Sequence, residues 1–456
     1  MPSLLPWSWR SLPLNQSTGS EIFAKLFLND AIAVLLESPY PPSLDYPQLA
    51  RYSICAGKPR AIAGVQQFWT PEVGEILPFL RQLLTRSQSD SAPDHLPFTG
   101  GWLGWLGYDL AWEIERLPYL KSDALPFPVA FWYEPECFAV LDHAEQVLWL
   151  AATHFDQLDQ LETQLASSLR TTPPSTPQST AAPKFCLSQT EYETIVLKAK
   201  QHIQAGDIFQ ANLSLRFEAE TIAESWSIYR SLQTINPSPF ASYWKTPFGD
   251  VISCSPERLV KLSDRAAETR PIAGTRARGM TPEHDQQLAE ELLNNTKEQA
   301  EHIMLVDLER NDLGRVCEWG SVKVDELLAI ERYSHVMHLV SNVVGTLRSE
   351  VDSVDLIRAL FPGGTITGCP KVRCMEIIET LEPVRRSLFY GSCGYLDQRG
   401  NLDLNILIRT LLYHSDGLVK TVWGQVGAGI VADSDPEKEW FESLYKAQAQ
   451  LAALNL

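Results

Sequence analysis

Two pairs of glutamates three residues apart, Glu298 with Glu301 and Glu439 with Glu442, are the groups in this sequence best suited to a hard cation. On a helix, that spacing puts both carboxylates of a pair on one face. Two such pairs on separate helices can converge on Mg²⁺, which takes oxygen ligands, accepts few protein carboxylates and leaves positions open for a carboxylate substrate. Either pair alone is the ordinary pattern of a solvated face on an acidic protein. Lys446, four residues after Glu442, is likewise an ordinary helix-stabilising partner. Groups suited to an anion gather in the same half of the chain. FPGGTITGCPKVRCME, from Phe361 to Glu376, sets glycines and threonines beside a helix start, where backbone N–H groups can meet a small acid. Arg409 can grip a carboxylate with a bidentate fork, and Gly427 and Gly429 in GQVGAGIV allow close backbone approach. The plain alternatives are a glycine-rich turn, an arginine paired with a surface acid and a β-bulge.

These groups need elements to hold them. Thr281 and Pro282 read as the cap and first residue of a long helix carrying Glu298 and Glu301, with Asn294 and Asn295 as a point of interruption. Asp435 and Pro436 give the same start signal for a terminal helix carrying Glu439 and Glu442. Pro370 opens a helix whose apolar residues Val372, Met375, Ile377, Ile378 and Leu381 recur at near-helical spacing. AIAVLLESPY, FAVLDH and QVLWLAA are short apolar runs bounded by turn residues and read as strands. YETIVLKAKQHIQAG is an amphipathic helix ended by Gly206, and IFQANLSLRF after it is a strand. Helices and strands mix without regular βαβ alternation and without a fixed repeat, so an α+β fold with large antiparallel sheets is expected rather than a doubly wound one. TTPPSTPQSTAAP, residues 171–183, reads as an exposed linker between a sheet-rich region (1–170) and a catalytic region (184–456).

With 456 residues, 45% hydrophobic and 21% charged, the chain can bury a large core. A net charge of −18 disfavours broad contact with nucleic acid or an anionic membrane. No run of about 18 apolar residues marks a membrane span and no signal-peptide pattern is visible, so a cytoplasmic setting is expected. The eight cysteines include no Cys-x-x-Cys pair, which argues against zinc and against a disulfide framework. Cys393 in GSCGY sits in a near match to a glutaminase elbow with one glycine out of place. It reads as a buried thiol, so ammonia for any amination must come from outside this chain.

Taken together, FPGGTITGCPKVRCMEIIETLEPVRR, GYLDQRGNLDLNILIRT, GQVGAGIVADS and ISCSPERLVK resemble the chorismate-utilising enzymes, over a span from about Leu5 to the C-terminus. The resemblance implies large antiparallel sheets packed as a sandwich with flanking helices, Mg²⁺-bound chorismate and loss of the ring C4 hydroxyl. It implies that Glu298, Glu301, Glu439 and Glu442 are the metal-side carboxylates, with Glu301 and Glu442 the direct ligands. Thr367, Tyr395, Arg409, Gly427, Gly429 and Lys446 are then on the substrate side. Glu257 in SPERL matches the family's general acid, which needs a carboxyl kept protonated near neutrality. His338 in HVMHLVS matches its active-site histidine, where the plain alternative is a hydrogen-bonded core histidine.

The nucleophile divides the family. Water-adding members place a lysine where this chain has Gln210, and a glutamine cannot serve as that base, so the resemblance implies addition of ammonia from a partner glutamine amidotransferase. Asn212, Phe240 in NPSPF, Gly364, Ile366 and Ser392 are similar to the aminodeoxychorismate synthase branch. Ala273 in PIAGT is similar to the anthranilate synthase branch instead, and alanine is no nucleophile. A third possibility is a chorismate-binding subunit without catalysis. Glu37 and Ser38 in LLESPY resemble the segment that helps bind tryptophan in anthranilate synthases.

Overall fold

The computed structural model describes residues 6–38, 47–86, 92–167, 182–332, 336–417 and 419–455. The expected linker lies outside these up to residue 181. Two large sheets dominate, and every strand pairing within them is antiparallel. The α+β architecture expected from the sequence is what the chain adopts. Each sheet draws strands from both sides of residues 171–183. In the first, Ala33–Glu37 pairs with Phe240–Thr246, and Gln210–Thr221 pairs with Lys420–Ile430. In the second, Gly101–Leu106 pairs with Ser392–Asp397, and Ile272–Ala277 pairs with Val336–Thr346.

Strand alternation produces two cores. Val34, Ile54 and Trp244 point from the first sheet toward the second, where Trp105 meets Trp244 edge to face at 6.0 Å. Ala33, Leu35 and Tyr243 point the other way, against helices that include Gln189–Gln204, Ser225–Ile235 and Pro436–Ala453. Local signals set the helix starts. Thr281 accepts from the His284 amide with Pro282 at the first turn, and Asp435 accepts from the Lys438 amide. The long acidic helix is in fact two. Pro282–Asn294 ends where the Asn295 side chain caps Thr296–Gly314 through the Lys297 and Glu298 amides.

One buried ion pair ties several of these pieces together. Beyond the helix Lys371–Leu381, Arg386 donates through Nε to Glu382 Oε2 at 3.0 Å and through Nη2 to Glu382 Oε1 at 2.7 Å. Its Nη1 also reaches the Ile366 carbonyl at 2.8 Å, and Nη2 the Asn212 carbonyl at 2.6 Å. The rings of Tyr108 and Tyr390 cover its guanidinium at 4.8 and 4.7 Å. Glu382 accepts in addition from the Ser214 amide and hydroxyl at 2.7 and 2.8 Å. Removing one partner leaves the other charge buried and alone, so Arg386→Met should cost about 3–5 kcal/mol of stability. Urea unfolding of the variant checks this, and a loss below about 1 kcal/mol would show the pair to be dispensable.

Candidate functional site

The strand Gln210–Thr221 and its neighbour Lys420–Ile430 bring the sequence's candidate groups together. Asn212 pairs with Gly429 and Ser214 with Gly427 across the ladder. A methyl group at Gly427 would lie 2.5 Å from the Leu213 carbonyl oxygen, 2.9 Å from the Tyr390 hydroxyl and 3.0 Å from Asn212 Oδ1. One at Gly429 would lie 2.4 Å from Gln210 Nε2 and 3.5 Å from Glu301 Oε1. Glycine is required at both positions because polar side chains close over them. Gln210 Nε2 donates to Glu301 Oε1 at 2.9 Å, which joins this strand pair to the helix Thr296–Gly314.

Lys446 on the terminal helix donates to the Gly427 carbonyl at 3.0 Å and pairs with Glu442 at 2.8 Å. Arg409, held at φ 52°, donates to the Lys446 carbonyl, so the helix-stabilising pair and the anion candidates belong to one assembly. Burial pushes the Glu301 carboxyl upward against the bond from Gln210, and the Glu442 charge adds to the rise. Glu439 is raised for the same two reasons, burial and then Glu442, while Lys446 and Lys297 oppose the rise at both carboxyls. The two Glu-x-x-Glu pairs therefore face one another rather than separate solvent surfaces. Glu298 places Oε1 on Arg276 at 2.8 Å, and a methyl at Gly274 would stand 2.5 Å from its Oε2. Among the described residues, no three His, Cys, Asp or Glu side chains stand close enough together to cage a metal ion as placed.

Glu257 follows the strand Gly249–Ser255 and is almost fully buried. Burial first, and then the charge of Glu309, pushes its carboxyl up to about 8, with Thr365 pulling the other way. It is a proton donor at neutral pH. His338 pairs across the ladder with Thr275, whose hydroxyl meets its Nδ1 at 2.9 Å. Burial, and then the Arg409 charge, lowers this imidazole to about 4, so it is neutral and reaches the same arginine. Thr367 is buried with its hydroxyl on the Gly363 carbonyl at 2.9 Å, and its own carbonyl accepts the Asn212 amide at 2.9 Å.

Two expectations are corrected. Tyr395 is not with these groups: it stands on the strand Ser392–Asp397, packs on Phe98 at 5.5 Å and lines a separate cavity with Phe240, Arg258 and Asn405. The tyrosine at the site is Tyr390, five residues earlier. There a φ of 65° turns the ring onto Arg386 and aims the hydroxyl at Gly427. The sequence offers two tyrosines flanking GSCG and nothing local that ranks them. The helix after Pro370 also does not point at this site. Gly368 and Cys369 pair with Ala211 and Gln210, and the helix N-terminus beyond them lines another groove with Phe209, Ile303 and Met304.

Glu37 and Ser38 line the cavity that holds Tyr395, which has a volume of about 510 Å³. The Glu37 carboxylate is already filled by the Ser20 amide and hydroxyl, Tyr229 and Gln233. Ser38 donates to the Pro239 carbonyl at 2.8 Å. Cys393 is a buried thiol raised to about 11 by burial, as its sequence context suggested.

Buried polar atoms without a partner are rare in folded proteins and often mark a ligand site. Here Gln210 Oε1, Asn212 Oδ1, Glu298 Oε2 and the Tyr390 hydroxyl all lack a hydrogen-bond partner among the described residues, and all belong to this assembly. The antiparallel double-sheet fold and this polar, glycine-floored hollow define an enzyme of the chorismate-handling type. The match to the chorismate binding enzyme family runs over residues 34–452, and the chain belongs to that family. It is 65% identical to an anthranilate synthase component I-like protein of Synechocystis, covering 99% of this chain and 92% of that protein. It is 43% identical to aminodeoxychorismate synthase component 1 of Bacillus subtilis, over 98% of this chain and 97% of that one. The crystal structure of anthranilate synthase component I from Streptococcus pneumoniae superposes with a TM-score of 0.76 at 33% identity, covering 88% of this chain and 92% of the other.

Gly427→Ala should weaken chorismate binding at least about tenfold, ~1.4 kcal/mol, by driving the Tyr390 hydroxyl and Asn212 off their positions. Gly314→Ala, where a methyl meets no atom within 4 Å, is the control and should leave binding unchanged. Titration calorimetry on both variants decides, and equal affinities would remove Gly427 from the site.

Proposed function

We propose that this chain aminates chorismate at C4 with ammonia delivered by a partner glutamine amidotransferase, giving 4-amino-4-deoxychorismate on the route to para-aminobenzoate and folate. The supporting observation is Gln210, hydrogen-bonded to Glu301 at 2.9 Å where water-adding relatives carry a lysine base. A neutral amide cannot deprotonate water, whereas ammonia arrives as a nucleophile already. The near end-to-end likeness to an aminodeoxychorismate synthase component supports attack at C4.

In this reading Glu257 gives its proton to the C4 hydroxyl, which leaves as water, and the ring gains the amine while keeping its enolpyruvyl group. Arg409, Tyr390 and Lys446 hold and orient the carboxylates, with the Gly427 and Gly429 backbone close beneath. His338, neutral, bonds without taking the proton. The carboxylates fit a hard divalent cation, because Glu301 and Glu439 are raised by burial and by the Glu442 charge, and Glu298 Oε2 has no partner among the described residues. Glu301 and Glu442 would hold Mg²⁺, with Glu298 and Glu439 beside them. When bound, the ion supplies positive charge for a substrate carboxylate.

Ala273 favours a second reading, an anthranilate synthase component, because it leaves no lysine there to attack C2. The relative at 65% identity carries an anthranilate synthase-like name. The cavity at Glu37 and Ser38 would then be the place for inhibitory tryptophan. Incubation of the chain with chorismate, Mg²⁺ and an ammonium salt, followed by product identification, separates the two. Aminodeoxychorismate is expected, and fluorescent anthranilate without added lyase overturns the choice. Chorismate binding with no turnover would point to a non-catalytic subunit.

Glu257→Gln should abolish turnover in either reading while leaving chorismate bound. Because the protonated form of Glu257 is the donor, kcat/KM should fall as pH rises through about 8. Chelation of divalent metal should remove activity and added Mg²⁺ restore it, read from chorismate consumption.

A further inference from the structure

The helix that carries Glu298 and Glu301 also buries a third glutamate, eight residues beyond Glu301. Glu309 is 4% exposed and takes no part in the chemistry above. Its Oε1 accepts from the Gly364 amide at 3.4 Å, and its Oε2 lies 3.4 Å from the Thr269 hydroxyl, which itself donates to the Leu259 carbonyl at 2.8 Å. A methyl at Gly364 would stand 3.1 Å from Glu309 Oε1, so the loop and the carboxyl are in close contact. Thr365, the next residue of the loop, is the side chain that meets Glu257. Glu309 thus sits directly behind the segment that faces the acid.

We propose that Glu309 is a positioning residue for Glu257: it anchors the Gly364 amide of the loop facing Glu257 and presents a second carboxyl to it in a space closed to water. The inference rests on the reading of Glu257 as the proton donor. Two carboxyls in one apolar space cannot both ionise freely, so the charge of one keeps the proton on the other. The groups around them are few. Asp312 on the same helix pushes Glu309 upward after burial does, and Lys371 opposes it from the next helix while pairing with Asp312 at 2.5 Å. Glu309 is the charged group that raises Glu257 beyond burial itself. The long contacts of Glu309 to Gly364 and Thr269 suit a carboxyl that is neutral part of the time.

The test is the pH profile of kcat/KM for chorismate consumption under ammonium and Mg²⁺. Glu309→Gln keeps the shape and the acceptor for Gly364 but removes the charge. Its basic limb should move down by on the order of one pH unit. Glu309→Asp, which keeps the charge, should hold the limb near the wild-type position. A Glu309→Gln profile lowered evenly at all pH with the limb in place overturns the proposal, as does an equal shift in both variants. Glu257→Gln separates the two possible failures. If it retains turnover, the acid reading itself falls. If it abolishes turnover while Glu309→Gln leaves the limb unmoved, only this inference falls. Should Glu309→Gln not fold, carboxyl-region infrared titration of the wild-type chain decides instead. Two coupled carboxyl protonations above the ordinary glutamate range support the pairing, and a single one overturns it.

Discussion

The buried pair of Arg386 and Glu382 is the constraint on which the candidate site depends. Each partner spends its remaining hydrogen-bonding capacity on backbone that forms the site: Arg386 on the carbonyls of Ile366 and Asn212, Glu382 on the amide of Ser214. A guanidinium has five donors in a fixed fork, so once it is desolvated the positions of its acceptors are fixed as well. The Gly/Thr loop, the strand of Gln210 and Asn212, and the ring of Tyr390 are thereby locked in one frame. Without that frame the unpaired atoms Gln210 Oε1, Asn212 Oδ1 and the Tyr390 hydroxyl would turn to each other or to water.

That frame holds two electrostatic environments apart. On one side Glu301, Glu439 and Glu442 crowd together near Lys446 and Lys297, an arrangement whose repulsion a cation would relieve. On the other, Glu257 and His338 are buried so deeply that both stay uncharged near neutrality, a carboxyl with its proton and an imidazole without one. A substrate lying between them would meet positive charge from Arg409 and Lys446 and a proton donor at a different edge. Separation of binding charge from proton donation is what the elimination of a hydroxyl from a carboxylate-bearing ring demands.

Much of this was legible in the sequence where the signal is local. The caps at Thr281 and Asp435, the break at Asn295 and the alternation of Ala33, Val34 and Leu35 are each decided by a few neighbouring residues, and the elements formed where those residues said. Features set by distant contacts were not. Nothing within GSCGY or before it reveals that the backbone at Tyr390 is left-handed and turns one tyrosine to Gly427, while Tyr395 continues along a strand to Phe98. Glu309 reads as one more acid on an acidic helix, because its burial depends on Gly364 and Thr269. The Arg409 fork was visible, whereas its bond to the Lys446 carbonyl could come only from the packing of the last helix on the last sheet strand.

Gln210 links these levels. Its amide nitrogen is committed to Glu301, so its oxygen is left over, buried and unpaired. An amide oxygen accepts a hydrogen bond from ammonia but has no basicity with which to take a proton from water. A lysine in its place would bring a proton acceptor when neutral and a competing cation beside Glu301 when charged. Under the proposed reading, one side chain thus both steadies a metal-side carboxylate and withholds the base that water addition needs. The choice of nucleophile then follows from what the site omits, which explains how a shared fold can support either hydration or amination of the same ring.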